Sequence, residues 1–418
     1  MKTMKNIVLF CSDQMQGFFG LGAHTDELLA IFGRQEDIEV TIIVTECRKY
    51  PEVKRFDNDR LHYVHIPCPG NGLFLSASVD NITTVLGKRI LQVIYPILAT
   101  KENLVFLFNS ISELSLVKQV KDFFKCTVVY VHHGWSWKDC IKVEDSVFAQ
   151  EWKDRNVSFC PEAFFKTEYQ LAMVEAADGV VTVTNCAKEF FKGVLGVDEE
   201  KLNIVYNGIA EPEFVKYDKI AIRKEFGIGE REKIVLFSGR VVANKGVFFL
   251  VEAFRSLLKD WPDSRLVLIG MGSLGEVLRS AEPVWSRIVL TDKISRELLQ
   301  KWYAIADVGV LPSLMEQCSF SAIEMRFWSI PLVVSAVDGL QEMFDDGIDC
   351  LMIPVSHDDK GERTLKPVEI TVRIDRLLKD SNLSKRLTDT GITRARSLFT
   401  SQLMGDSYLQ LIDRLIEK

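Results

Sequence analysis

The chain has 418 residues, 47% hydrophobic and 26% charged, a balance that suits two globular α/β domains of roughly 200 residues each and leaves little room for disorder. Its net charge of −7 lacks the basic surplus that a nucleic-acid binder needs for phosphate contacts, although a local basic patch could still hold a phosphorylated ligand. Nine scattered cysteines form no Cys-x-x-Cys pair, which speaks against a zinc site or a disulfide framework and for a reducing, cytoplasmic setting.

The opening MKTMKNIVLFCSD reads as a buried first strand and not as a signal peptide, because Ser12 and Asp13 cut the apolar run short. No apolar stretch reaches the roughly 18 residues of a spanning helix, so only peripheral membrane contact stays open. Short β-branched runs then alternate with helical patterns. One series of strands is expected at Asn6–Cys11, Val40–Val44, Val105–Asn109, Thr127–His132 and Gly179–Thr184. A second is expected at Ile234–Ser238, Leu266–Ile269, Ile288–Thr291, Val308–Pro312 and Leu332–Ser335. Apolar runs separated by helices predict parallel sheets with right-handed crossovers, and two series predict two doubly wound domains.

In the first half, GFFGLGAHTDEL (Gly17–Leu28) follows the first strand and opens a helix, with Gly20 and Gly22 in the turn. As a dinucleotide fingerprint it lacks the third glycine, and His24 within it reads as structural. VVYVHHGWSW (Val128–Trp137) ends a buried strand in His132, His133 and Gly134. His133 suits the sheet edge and His132 suits packing. A neutral imidazole can donate or accept, so no general-base role follows, and without a third ligand nearby the pair does not suggest a metal. The aromatic residues Trp135, Trp137, Phe148, Trp152, Phe159, Phe164, Phe165 and Tyr169 suit a core, with an acceptor groove as the other reading for some of them.

The stretch Asn207–Glu230, broken by Asn-Gly, Pro212 and Gly227–Gly229, marks the boundary between residues 1–207 and 208–399. Beyond it, IVLFSGRVVANKGVFFLVEAF (Ile234–Phe254) places Gly239, Arg240 and Lys245 in a strand-to-helix loop at the carboxyl edge of a parallel sheet, where such folds bind ligands. A guanidinium and an ammonium there suit a diphosphate leaving group. In LVLIGMGSL (Leu266–Leu274), Gly270 and Gly272 would allow close approach of a nucleotide, or form a simple tight turn. In ADVGVLPSLMEQCSFSAIE (Ala306–Glu324), Glu316 falls in the loop after a strand, Ser319 or Ser321 caps a helix, and Glu324 lies just inside that helix. The N–H groups of Ser319–Ser321 are expected to face an anion at the positive end of the helix dipole. Two glutamates eight apart are weak by themselves, since a solvated face would produce them too. The loop carrying Arg240 and Lys245 gives them context. Residues 400–418 close the chain as an amphipathic helix through Leu403, Tyr408, Leu411 and Leu415.

In this order the three motifs resemble the C-terminal half of the glycosyltransferase family 4 enzymes, whose GT-B fold is a pair of doubly wound Rossmann-like domains facing a central cleft. Tyr303, Ala306, Asp307, Pro312, Ser313, Pro331, Gly339, Glu342 and Gly347 follow the same pattern, as does YNGI at Tyr206–Ile209. The resemblance covers Gly179 to Pro354 and extends loosely to the first half. It implies retaining, metal-independent transfer from a nucleotide diphosphate sugar, a UDP-sugar first and a GDP-sugar next, with no cofactor beyond that co-substrate. The acceptor could be a glycan, a lipid-linked sugar, a peptide or another natural product.

It also implies that Arg240 and Lys245, with Gly239, bind the donor phosphates, that Glu324 binds the ribose, and that Glu316 contacts the sugar hydroxyls with backbone at Cys318, Ser319 and Phe320. Gly20 and Gly22 would face donor and acceptor, Gly270 and Gly272 would lie against the nucleotide, and His133 would sit near the reaction centre. The donor phosphate would take the acceptor proton, and the terminal helix would cross back to the first domain. Ser319, Ser329 and Cys350 stand where the family usually has Gly, and Arg326–Phe327 is bulkier than its usual pair, which puts the shape of the sugar pocket in question. An epimerase or phosphorylase on the same fold is the competing enzyme class. A degenerate binding subunit is the non-enzymatic one, and retention of Arg240, Lys245, Glu316 and Glu324 together speaks against it.

Overall fold

The structure, a computed structural model, describes residues 4–12, 20–67, 79–110, 113–212 and 217–417. Gly17–Phe19 of the first glycine loop and residues 213–216 of the expected boundary lie outside the described residues. The chain divides into two compact units. One holds residues 1–140, 149–207 and 401–418, and the other residues 141–148 and 208–400.

The first unit is built on an eight-stranded sheet: β1 (Lys5–Ser12), β2 (Ile38–Cys47), β3 (Lys54–Asn58), β4 (Leu61–Pro67), β5 (Leu104–Phe108), β6 (Cys126–His132), β7 (Gly179–Thr182) and β8 (Leu202–Ile204), in the order β3-β4-β2-β1-β5-β6-β7-β8. All neighbours are parallel except β3 and β4, and Ile7 of β1 pairs with Val40 on one side and Val105 on the other. Ile7, Val8 and Leu9 are completely buried, as an inner strand covered by helices on both faces requires. β3, sequence KRFDN, is exposed throughout and shows no apolar run, so only its pairing with β4 makes it a strand.

The second unit has six parallel strands, β9 (Lys233–Ser238), β10 (Ser264–Ile269), β11 (Ile288–Leu290), β12 (Val308–Leu311), β13 (Leu332–Ser335) and β14 (Leu351–Ile353), in the order β11-β10-β9-β12-β13-β14. A hairpin of β15 (Val355–His357) and β16 (Arg363–Leu365) follows. Both units are Rossmann-like, and their sheets switch direction between β1 and β5 and between β9 and β12.

The boundary drawn at residue 207 needs one correction, because residues 141–148 group with the second unit. Arg363, only 5% exposed at its side chain, donates from Nε and Nη2 to the two oxygens of Glu144 at 3.0 and 2.8 Å and from Nη1 to Asp338 at 2.7 Å. Its backbone N–H donates to the carbonyl of Lys142 at 2.7 Å. Fork-to-carboxylate geometry of this kind holds a segment by direction as well as charge.

The departures Arg326 and Phe327 belong to the core. Phe327 is completely buried, and Arg326 pairs with Asp349 at 3.0 Å and stacks over the Phe344 ring at 4.3 Å. Ser329, where a glycine was expected from the resemblance, has a φ of 56°. A side chain in this left-handed conformation costs roughly 1–2 kcal/mol, so Ser329→Gly is expected to stabilise the protein by about 1 kcal/mol in denaturant titration. A loss of stability would mean that the Ser329 side chain makes a compensating contact.

Candidate functional site

The loops after β9, β10 and β12 meet at the carboxyl edge of the second sheet. The loop after β9 runs Gly239–Gly246. Gly246 has a φ of 71°, and a Cβ there would lie 1.8 Å from the carbonyl oxygen of Pro312. The N–H of Leu314 donates to the carbonyl of Asn244 at 2.9 Å, which ties this loop to the one after β12. That closeness brings Lys245 to Glu316: Nζ donates to Oε2 at 2.6 Å, with both side chains less than a fifth exposed. The Ser313 hydroxyl donates to the same oxygen at 3.3 Å, and the N–H of Gly339 donates to the Glu316 carbonyl at 3.0 Å. Glu316 is therefore held at both backbone and carboxylate. Arg240 is exposed at the start of the same loop.

Ser319 caps the helix Phe320–Phe327, its hydroxyl accepting from the N–H of Ala322 at 3.4 Å. Its own N–H, expected to face an anion, is directed at the sulfur of Met343 at 3.4 Å, and Cys318, Ser319 and Phe320 are all buried. That donor is taken up by the core. Glu324, in the second turn, accepts a hydrogen bond from the Tyr303 hydroxyl at 2.8 Å. Gly270 and Gly272 also receive a different physical reason. Their φ values are 136° and 149°, and a Cβ would lie 2.0 Å from the Gly239 carbonyl oxygen and 2.1 Å from that of Val241. The close approach they permit is between the two loops, sealed by Val241 N–H to Met271 O at 2.8 Å and Ser273 N–H to Val241 O at 2.7 Å.

The first unit brings together a second set. Gly20 begins the helix Gly20–Phe32, and Gly22 lines a cavity of about 200 Å³ with Cys11, Thr25, Asp26, Tyr63 and Asn109. It lies beside β1 and β5, where the strand order reverses, the usual ligand position in such sheets. His133 Nε2 lies 2.9 Å from Asn109 Oδ1, and burial lowers its pKa to about 4. His24 is buried, packs its ring against that of His133 at 4.6 Å and bonds through Nε2 to the Tyr408 hydroxyl at 2.9 Å, a structural role.

His132 is completely buried, with Nδ1 2.6 Å from Gln170 Nε2 and its ring against Trp135 and Phe191. Burial, reinforced by His133 and Lys138, lowers its pKa from 6.5 to about 3. Below 6.5 the unfolded chain takes up the proton and the folded chain does not. This contribution is therefore fully present above pH 6.5 and is lost as the pH falls toward 3. The loss is about 1.4 kcal/mol per pH unit. His132→Gln is expected to reduce the drop in unfolding free energy between pH 7 and pH 5 by roughly 1–2 kcal/mol. An unchanged drop would show that other groups control it.

Of the aromatic residues after Trp135, Trp135, Trp137, Phe148, Trp152 and Phe164 are core, while Phe165 is 64% exposed beside Tyr169. Among the described residues no three His, Cys, Asp or Glu side chains form a metal set, and no helix is long and apolar enough to cross a membrane.

The family model for glycosyl transferases group 1 matches residues 232–379, the stretch that contains Arg240, Lys245, Glu316 and Glu324. This segment resembles the glycosyl transferases group 1. An uncharacterized glycosyltransferase of Methanocaldococcus jannaschii is 29% identical over 48% of this chain and 51% of its own length. Alpha-D-kanosaminyltransferase of Streptomyces kanamyceticus is 25% identical over 56% of this chain and 59% of its own length. The chain thus spans about half the length of the curated relatives it matches. Among solved structures, sucrose-phosphate synthase from Thermosynechococcus elongatus matches with a TM-score of 0.78 at 17% identity, over 99% of both chains. Anabaena HepE in complex with UDP-glucose matches at 0.67 and 13% identity, over 98% of this chain and 99% of its own. These likenesses establish the GT-B type of fold, two Rossmann-like α/β units with parallel sheets.

Within the group 1 segment, sequence reading assigned no role to the Tyr303 hydroxyl or to Ser313. Tyr303 follows the family pattern, but nothing local in the sequence shows that its hydroxyl reaches a residue 21 positions on. Asn109 carried a better signal, a polar residue ending an otherwise apolar strand at the ligand edge of the sheet.

Proposed function

We propose that this chain is a retaining glycosyltransferase that moves a sugar from a nucleotide diphosphate sugar to an acceptor nucleophile without needing a metal. The observation that carries the reading is the Lys245–Glu316 pair, held at the carboxyl edge of β9 and β12 with Glu324 on the next helix, all inside the group 1 segment. Lys245 and Arg240 neutralise the charge that develops on the leaving diphosphate. Glu316 accepts from the sugar hydroxyls and Glu324 from the ribose. The HepE complex with UDP-glucose favours a UDP-sugar as donor, ahead of a GDP-sugar. Retention and metal independence follow from the family resemblance. The acceptor hydroxyl then attacks the anomeric carbon on the face from which the diphosphate leaves, and its proton passes to a departing phosphate oxygen. The cavity by Asn109 and His133 is the acceptor side in this reading.

A thermal-shift screen of nucleotide diphosphate sugars tests it, because a ligand that binds only the folded state raises the melting temperature through linkage. One donor is expected to raise it by several degrees, and the same donor should be consumed with retention when acceptors are supplied. A chain that no such donor stabilises, or an inverted product, would overturn the respective part.

A further inference from the structure

We propose that Tyr303 is a positioning residue that holds the Glu324 carboxylate in place for the ribose hydroxyls of the donor nucleotide. The inference rests on the reading of Glu324 as the ribose ligand. Tyr303 lies in the last turn of the helix Arg296–Ile305 and is 2% exposed. Its hydroxyl lies 2.8 Å from Glu324 Oε2 and 3.2 Å from Ser238 Oγ. A phenol has one proton, and an ionised carboxylate only accepts. The proton therefore goes to Glu324, and Ser238 donates to the phenol oxygen, which gives the chain Ser238 to Tyr303 to Glu324. Burial and the Glu324 charge raise the phenol pKa well above its usual value of 10, so the donor persists across the working pH range.

The position of Ser238 extends the inference. It is the last residue of β9, directly before Gly239 and Arg240. The phenol therefore couples the start of the phosphate loop to the ribose ligand through two hydrogen bonds inside the core. A carboxylate has about four acceptor sites, more than a vicinal diol needs. Fixing the carboxylate plane lowers the entropy lost when the diol binds. Trp328 packs on the Tyr303 ring at 6.1 Å between centroids, so removing only the hydroxyl keeps the packing.

The test measures binding of UDP, GDP and ADP, each with and without the ribose 2′- and 3′-hydroxyls, to the full chain by calorimetry. For the nucleotide that binds best, Tyr303→Phe is expected to raise Kd about 5- to 10-fold, the order of the net contribution of one ordinary hydrogen bond. The 2′,3′-dideoxy form should bind both proteins alike. Ser238→Ala should give a smaller loss with the same dependence on the ribose hydroxyls, and it carries the test if Tyr303→Phe does not fold. Equal losses for both nucleotide forms, or no loss for either, would overturn the inference, since a merely structural role cannot distinguish them. Glu324→Gln separates the two readings. If wild type does not discriminate the two forms, or Glu324→Gln discriminates as well as wild type, the ribose assignment itself falls. If Glu324→Gln loses the discrimination while Tyr303→Phe keeps it, only the role of Tyr303 falls.

Discussion

Replacing Lys245 with Ala is expected to raise the Kd of the donor nucleoside diphosphate about 10- to 100-fold, the range of one charge-assisted hydrogen bond. The free nucleoside should bind as before, because it offers no phosphate to the lost ammonium. Glu316→Gln should behave in the opposite sense toward the nucleotide. In the protein Lys245 shares its charge with Glu316 at 2.6 Å. Removing that negative charge leaves the ammonium to the phosphate, so the diphosphate should bind equally well or more tightly. Turnover should nevertheless fall about 100-fold, the order seen when one group that stabilises a transition state is deleted. Calorimetry with the nucleoside diphosphate and steady-state kinetics with the full donor separate the two effects. Unchanged diphosphate affinity in Lys245→Ala would place the phosphates in another loop. Unchanged turnover in Glu316→Gln would remove Glu316 from the sugar site.

The largest effect on stability is expected at Arg326. Its side chain is 4% exposed and faces Asp349, which is completely shielded. Arg326→Met would leave a buried carboxylate with the N–H of Asp345 at 2.8 Å and Arg394 at 3.7 Å. Breaking one side of a buried pair costs roughly 3–5 kcal/mol, and Arg394 places this case at the low end of that range. For a unit of this size the melting temperature should fall by about 6–12 °C. Arg326→Met combined with Asp349→Leu should recover part of the loss, because apolar groups of similar volume can replace a buried pair. Gly391→Ala probes the same place from the neighbouring helix Ser381–Leu398. Its Cβ would lie 1.7 Å from Arg326 Nη1, so the guanidinium would have to shift from its place beside Asp349. A Gly391→Ala protein as stable as wild type would show that the guanidinium has a second berth.

These two sites differ in what their sequence revealed. The strand before Glu316, its place in a loop and the cap at Ser319 are local properties, written in runs of β-branched residues and in a hydroxyl one position before a helix. They could be read because strand burial and helix capping depend on neighbours within a few positions. The contact between Lys245 and Glu316 spans 71 positions, and nothing in either stretch says that the two loops lie close enough to form it. Gly270 and Gly272 show the same limit from the other side. Their tolerance of positive φ is a property of the residue type, but the partner that comes close is the backbone of the β9 loop, which only the sheet order supplies.

From sequence the departure Arg326–Phe327 points to a change in the sugar pocket, whereas Arg326 turns into the core toward Gly391 and Asp349. Sequence continuity groups residues 141–148 with the first unit, and Arg363 draws them into the second. By itself, then, the sequence determined the alternation of strands and helices, the edge of the sheet on which each motif falls, and the chemical types gathered there. Only the tertiary structure decided which of those groups meet. The Lys245–Glu316 pair, the Tyr303 hydroxyl on Glu324 and the buried Arg326 all join residues that the chain separates by 21 to 71 positions. Such pairings are settled by packing of whole layers, which no local pattern encodes.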